Sequence, residues 1–241
     1  SNFGDILNPI IVNQFSNKRI VNCSARYANH IHLLAIGSII NRANQHSVIW
    51  GSGYISNDAI FQNKPRKVMA VRGPKTRAKL LEQGVDCPEI YGDPALLMPR
   101  YYQPKKGKRY PCGVLAHYVD KNHEWLDSLP HEVLIIDVQS SSPLDVIDAV
   151  CSCDCILSTS LHGLIISDAY RIPSLWIRLS NKIIGRDFKF NDYFNSLGYP
   201  DRQAIKILKE VNLNELMTSA DLRNLNLDLD QLAASFPKEF I

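Results

Sequence analysis

Short apolar runs bounded by turn residues recur along the chain, at residues 32–36, 48–50, 68–71, 113–117, 133–138, 155–157 and 174–177. Their lengths fit strands rather than helices, and their near-continuous apolar character predicts burial on both faces of a sheet. Between several of them lie amphipathic stretches with helix-start signals. Gly73-Pro74 precedes residues 75–83, Asp93-Pro94 precedes 95–98, and Ser142-Pro143 precedes 144–152. Proline suits the first helical position, where its missing N–H would have had no helical partner. Gly84 follows the first of these stretches, at the place of a left-handed C-terminal cap. Strand and helix in alternation predict an α/β fold with mainly parallel sheets.

The rhythm breaks over residues 99–111, where Arg100-Tyr101-Tyr102-Gln103-Pro104-Lys105-Lys106-Gly107-Lys108-Arg109 is basic and aperiodic. A domain boundary placed there gives an N-terminal Rossmann-like domain, 1–104, and a C-terminal Rossmann-like domain, 105–241. After Gly198 the chain turns leucine-rich, and the tail from about 200 to 241 reads as two or three short helices. Asp228-Leu229-Asp230 in that tail mimics a metal-binding D-x-D, but the alternating leucines around it mark a helix boundary.

Composition adds exclusions. No run approaches the roughly 18 apolar residues of a membrane span. The opening Ser1-Asn2-Phe3-Gly4-Asp5 has neither the basic nor the apolar region of a signal peptide. The expectation is a cytoplasmic protein. The basic run near Lys105 reads first as a solvated linker and second as a peripheral contact with phosphorylated lipid at the inner face of the membrane. Position 1 is not Met and no strand precedes the opening turn, as in a chain that lacks a native first strand. The formal charge of +3, from 27 Lys and Arg against 24 Asp and Glu, is too small to announce nucleic acid. It suits a small anion if the cations converge. Six cysteines without a secretory signal read as buried thiols. Cys151-x-Cys153-x-Cys155 lacks the C-x2-C spacing and second half-site of a metal motif, so packing is the stronger reading.

In parallel α/β sheets ligands bind beyond the carboxyl ends of the strands, so strand-to-helix turns carry the candidate chemistry. One turn is Gly4-Asp5-Ile6-Leu7-Asn8-Pro9, ahead of an apolar helical segment, 10–15. Another is Gly51-Ser52-Gly53, where two glycines suit either close approach of a ligand or an ordinary tight turn. A third is Val71-Arg72-Gly73-Pro74-Lys75, where a guanidinium beside a helix N-terminus makes an anion clamp, or else a surface arginine paired with a carboxylate such as Asp93. The fourth, Ser158-Thr159-Ser160-Leu161-His162-Gly163, combines hydroxyl caps, unpaired first-turn amides and a histidine. The positive end of the helix dipole favours the neutral ring of His162, a group able to take a proton; the bland alternative is a packed or capping histidine.

These turns, in this order, resemble the polysaccharide pyruvyl transferase family. The matching stretches are Asn2-Phe3-Gly4-Asp5-x-Leu7-Asn8-Pro9, Gly51-Ser52-Gly53, Val71-Arg72-Gly73-Pro74-Lys75-Thr76, Gly92-Asp93-Pro94-Ala95-Leu96-Leu97, Ser158-x-Ser160-Leu161-His162-Gly163 and Lys189-Phe190-x-Asp192-Tyr193. The resemblance implies a fold similar to GT-B glycosyltransferases with the active site in the interdomain cleft. It also implies phosphoenolpyruvate as donor, a saccharide or lipid-linked saccharide as acceptor, and a pyruvate ketal as product. Arg72 and the Ser160-Leu161-His162 turn match positions that the family uses for the donor, with Ser158 and Gly163 beside them. Some relatives carry an arginine where this chain has Ser160, so another cation, Lys182, Arg186 or Arg178, is expected to replace it.

Within that scheme His162 is the acid/base, and Asp5 deprotonates or orients an acceptor hydroxyl. Asp93 is an N-cap, and His117 is either a second acid/base or an ordinary core or surface histidine. Asn8 and the Gly51-Ser52-Gly53 turn fall to the acceptor side. No metal or cofactor is required. Two other readings remain open: a sugar-nucleotide glycosyltransferase, disfavoured by the absence of Glu between Glu132 and Glu210, and a catalytically silent sugar- or anion-binding module.

Overall fold

The computed structural model describes residues 3–21, 29–61, 63–105, 107, 109–140, 142–185, 187–208 and 211–240. The chain forms two compact units. The first gathers Gly4–Met98, Ile184–Arg202 and Asn226–Ile241; the second gathers Phe3, Pro99–Ile183 and Gln203–Leu225. Both are α/β with parallel sheets, as Rossmann-like folds are. The change of unit at Met98/Pro99 lies near the expected 104/105 boundary, but one cut does not separate the units, because the chain returns to the first unit twice.

In the first unit, β1 (His32–Leu34), β2 (Ser47–Trp50) and β3 (Lys67–Ala70) pair in the order β1-β2-β3, all parallel. β2 is buried at every position, as a central parallel strand must be. Helix α2 (Pro74–Glu82) begins on its proline and ends where Gly84, at φ +68°, lets its own N–H reach Leu81 O at 2.9 Å and that of Val85 reach Leu80 O at 3.0 Å.

Helix α1 (Phe3–Asn13) overturns one expectation: residues 4–9 are helix, not turn, and Pro9 lies inside it. Proline has no N–H for the Asp5 carbonyl. The Asn8 side-chain amide turns to that carbonyl at 3.4 Å, and it exchanges closer bonds with Ile36, donating to its carbonyl at 3.0 Å and accepting its N–H at 2.7 Å.

Two later segments complete this unit, α6 (Phe188–Ser196) and α8 (Leu229–Ala234), both expected in the second domain. Trp50 gives the physical reason for α8. Its indole, fully buried, needs an acceptor for Nε1–H and finds Leu232 O at 3.0 Å, while Phe236 and Phe15 pack on its ring at centroid distances of 5.0 and 5.2 Å. Asp228, of the D-x-D pattern, caps α8 by accepting Gln231 N–H at 2.8 Å.

In the second unit, β4 (Cys112–Ala116), β5 (Val133–Asp137), β6 (Ile156–Ser158), β7 (Ser174–Arg178) and the short β8 (Ile205–Lys206) form a parallel sheet in the order β5-β4-β6-β7-β8. Helices α3 (Glu124–Asp127), α4 (Pro143–Cys151), α5 (Leu161–Ala169) and α7 (Leu213–Thr218) complete it. Every residue of α5 is buried, which makes it the central helix of the unit. At its far end Asp168 takes a bidentate pair from the buried Arg223, at 3.0 Å to Nε and 2.8 Å to a terminal nitrogen. Arg223 also donates to Ser174 O and to Asp221, fastening the segment after α7 to β7.

The expected linker is part of this unit. Tyr102 donates its hydroxyl to Asp148 at 2.8 Å, and the N–H groups of Arg109 and Tyr110 share Ser152 O at 2.8 and 3.0 Å. Cys153 and Cys155 direct their thiols to the carbonyls of Ala149 and Pro111. Cys23, Lys106 and Lys108 lie outside the described residues. Among the described residues no helix is long and apolar enough to cross a membrane.

Candidate functional site

The strand order of the second unit contains a switch point, where parallel α/β sheets bind their ligands. From β4 the chain moves to one side to form β5, then crosses back to lay β6 on the other side of β4. Connections leaving β4 and β6 therefore diverge, the arrangement that makes their carboxyl ends the candidate crevice. His117 follows β4 directly, and Ser158-Thr159-Ser160-Leu161-His162-Gly163 runs from the last residue of β6 into α5.

Local hydrogen bonds hold this turn rigid. Ser158 Oγ donates to Leu115 O at 3.1 Å and accepts Ser160 N–H at 3.0 Å, so the expected donor-binding hydroxyl of Ser158 is spent inside the turn. Thr159 N–H donates to Leu115 O at 3.2 Å, and Thr159 Oγ1 accepts His117 N–H at 2.7 Å, tying β4 to β6 at the crevice. Ser160 is the N-cap residue by position, yet its hydroxyl makes no capping bond to the helix. The first-turn amides of Leu161, His162 and Gly163 thus keep the polarity of a helix N-terminus. A Cβ on Gly163 would stand 2.3 Å from Ser158 Oγ, so that glycine is required by packing.

His162 occupies the second position of α5 and is 5% exposed, held among neighbours rather than swinging in solvent. Leu161 turns its side chain into the core. His117 is also buried, its ring tilted against Tyr118 at a centroid distance of 4.4 Å, and its Nδ1 faces Val119 N–H at 3.4 Å. The cations expected to replace the missing arginine come from the end of β7 and the segment after it. Lys182 is exposed, and Arg178 lies over the Trp176 ring with 5.9 Å to the centroid. Arg186 lies outside the described residues.

The first unit treats its candidates differently. Arg72 is fully buried, and its guanidinium donates to Asp192 Oδ2 from Nε at 3.0 Å, to Ser38 Oγ at 2.7 Å and to Tyr54 O at 2.8 Å. Asp192 Oδ1 accepts Thr76 N–H at 2.8 Å, in the first turn of α2, and Oδ2 accepts the Thr76 hydroxyl at 2.7 Å. Of the two readings at residues 71–75 the geometry is that of an arginine paired with a carboxylate of its own chain, with Asp192 rather than Asp93 as partner and with both groups buried rather than at the surface. Asp93, the expected alternative partner, instead accepts Ala95 N–H at 2.9 Å as an N-cap.

The glycines around this pair make room for protein, not ligand. A Cβ on Gly53 would lie 2.4 Å from Arg72 Cζ, and one on Gly73 would lie 1.9 Å from Asp192 O. Gly51, at φ +84°, would strike Pro94, while Ser52 donates to Gly37 O at 2.8 Å. Asp5 stands exposed in the first turn of α1, where a carboxylate suits the helix dipole, and the Asn8 amide is committed to Ile36.

Lys189, one helical turn before Asp192, is buried beside this cluster with its ammonium 5.5 Å from the Phe190 ring centroid. Burial, and then the Arg72 charge, push its pKa down from 10.5 to about 8. The fold therefore opposes its charged form. Below pH 8 the lysine is protonated in folded and unfolded chains alike, and the fold carries the full penalty. Between pH 8 and 10.5 only the unfolded chain keeps the proton, so this contribution to stability rises with pH. Lys189→Met is expected to stabilise the protein at pH 7 by on the order of a few kcal/mol, a gain that shrinks toward pH 10.5. Urea unfolding midpoints of both proteins at the two pH values test it, and a gain independent of pH would refute the assignment.

Residues 2–181 match the family described as polysaccharide pyruvyl transferase. The uncharacterized protein L143 of Acanthamoeba polyphaga mimivirus is 27% identical over 248 residues, covering 96% of this chain and 84% of that protein. The succinoglycan biosynthesis protein ExoV of Rhizobium meliloti (strain 1021) is 29% identical over 178 residues, covering 69% of this chain and about half, 54%, of the relative. No solved structure matches. The matched region contains both Arg72 and the whole β6-to-α5 turn, while Asp192 and Lys189 fall beyond it. On the extent of that match, the chain belongs to the polysaccharide pyruvyl transferase family.

Proposed function

We propose that this chain transfers pyruvate from phosphoenolpyruvate to two hydroxyls of a saccharide, closing a cyclic ketal. The observation that carries the reading is the buried His162 in the first turn of α5, at the strand-order switch of the second unit, in a chain of this family. Phosphoenolpyruvate brings a carboxylate and a phosphate. The α5 amides answer one anion with aligned N–H groups, and Arg178 and Lys182, from the β7 end, supply positive charge.

The reaction needs C3 of the enol protonated, C2 attacked by two sugar oxygens, and the C2–O bond to phosphate broken. Of the two hydroxyl protons released, one ends in the new methyl group and the other on the departing phosphate. His162 delivers the proton to C3 and is recharged from the acceptor side. The acceptor is a saccharide, free or lipid-linked. No step draws on a metal.

The test is an acceptor screen of the purified protein with phosphoenolpyruvate, reading phosphate release and ketal product by NMR. Release that requires both substrates, and stabilisation against heat by phosphoenolpyruvate but not by nucleotide sugars, supports the reading. Stabilisation by nucleotide sugars alone would assign the chain to glycosyl transfer instead.

A further inference from the structure

The loops that follow β4 and β7 meet above the strand between them. After β4 the Asp120 N–H donates to His117 O at 2.7 Å, closing a turn that leaves Asp120 2% exposed. Ser180, two residues past β7, donates its hydroxyl to Asp120 Oδ1 and accepts Lys182 N–H at 3.1 Å. Because β6 lies between β4 and β7, this bond spans the carboxyl end of β6, the end that bears Thr159, Ser160 and His162.

The second carboxylate oxygen, Asp120 Oδ2, is buried and receives no hydrogen bond among the described residues. Leaving a buried acceptor unpaired forfeits the hydrogen bonds water gave it, and natural folds seldom keep one without use. Its surroundings at the ligand end of the sheet say what completes it. An anionic carboxylate or phosphate would be repelled by the Asp120 charge, whereas a neutral sugar hydroxyl brings a donor without that repulsion.

We infer that Asp120 receives an acceptor hydroxyl of the saccharide at the mouth of β6, holding it and taking its proton as the oxygen attacks. In that step the hydroxyl proton passes to Oδ2 and the oxygen lone pair forms the bond to C2, whose enol double bond takes up a proton at C3. The chemistry of the step rests on the pyruvyl-transfer reading, while the hydroxyl site stands on the geometry alone.

Calorimetry and saturation-transfer NMR with methyl glycosides of galactose, glucose and mannose test the site without turnover. Asp120→Asn is expected to weaken saccharide binding by about 10-fold or more and to lower ketal formation by roughly 10²–10⁴-fold, with phosphoenolpyruvate affinity unchanged. Equal saccharide affinity in variant and parent, or no saccharide binding by the parent, overturns the inference. Saccharide binding that depends on Asp120, in a protein that releases no phosphate from phosphoenolpyruvate, upholds Asp120 and sinks the pyruvyl reading. If Asp120→Asn does not fold, Ser180→Ala carries the test. It frees Oδ1 while keeping the charge and is expected to weaken saccharide binding about threefold or more, so that unchanged binding overturns the inference.

Discussion

Asp192→Ala is expected to destabilise the first unit by about 3–5 kcal/mol, on the order of 10 °C in melting temperature. The substitution leaves the Arg72 guanidinium buried with no counter-ion and removes the acceptor of Thr76 N–H and of its hydroxyl. Breaking one side of a buried pair is costly because the remaining charge has no water to turn to. Arg72→Met is expected to cost a similar amount, and the double variant less than the sum of the two, since it leaves no charge uncompensated. Urea unfolding of the three variants measures this. A donor clamp open to substrate would behave otherwise, with Arg72→Met lowering phosphoenolpyruvate affinity at near-parental stability and Asp192→Ala causing little loss. Strictly additive, small effects would refute the structural role.

This pair also shows where sequence reading stops. Val71-Arg72-Gly73-Pro74 announced a cation beside a helix N-terminus, and both features are present. What filled them was not legible, because Asp192 lies 120 positions away and pairing across that distance leaves no local trace. The same holds for Gly53 and Gly73: glycine shows that something approaches closely, and only the fold shows that the visitor is Arg72 or Asp192. Residues 4–9 misled for a different reason. Glycine and proline in one short stretch read as a turn, whereas Asn8 supplies contacts that let the helix run through Pro9.

In the second unit local signals marked the strands and the β6-to-α5 turn. The apolar runs at 113–117, 133–138, 155–157 and 174–177 became β4 to β7, and Ser142-Pro143 opened α4 with Ser142 accepting Asp145 N–H. The β6-to-α5 turn was found as an anion-friendly helix start bearing a histidine. Asp120 was not, because the run His117-Tyr118-Val119-Asp120 has no motif, and its value comes from Ser180, 60 positions on, which turns it over β6. Strand order, which defines the crevice, is likewise a non-local property. Runs of apolar residues predict strands but not which strand lies beside which.

His162→Ala is expected to lower turnover by roughly 10²–10⁴-fold while leaving phosphoenolpyruvate affinity within a few-fold of the parent. The split follows from where the groups sit. In the proposed mechanism the donor anions would meet the α5 amides and the cations near β7, none of which the substitution removes, whereas the proton for C3 would come from the ring. The backbone of α5 is fixed by the Ser158 and Thr159 bonds to β4, so an alanine at 162 leaves the turn in place. Single-turnover phosphate release at saturating acceptor separates the chemical step from binding. In D2O the parent is expected to place one deuterium in the ketal methyl group, since a ring proton exchanges with solvent before transfer. Unchanged turnover in His162→Ala, or a loss confined to donor affinity, would move the acid to another residue of the crevice, with His117, bound through its N–H to Thr159, the next to be replaced.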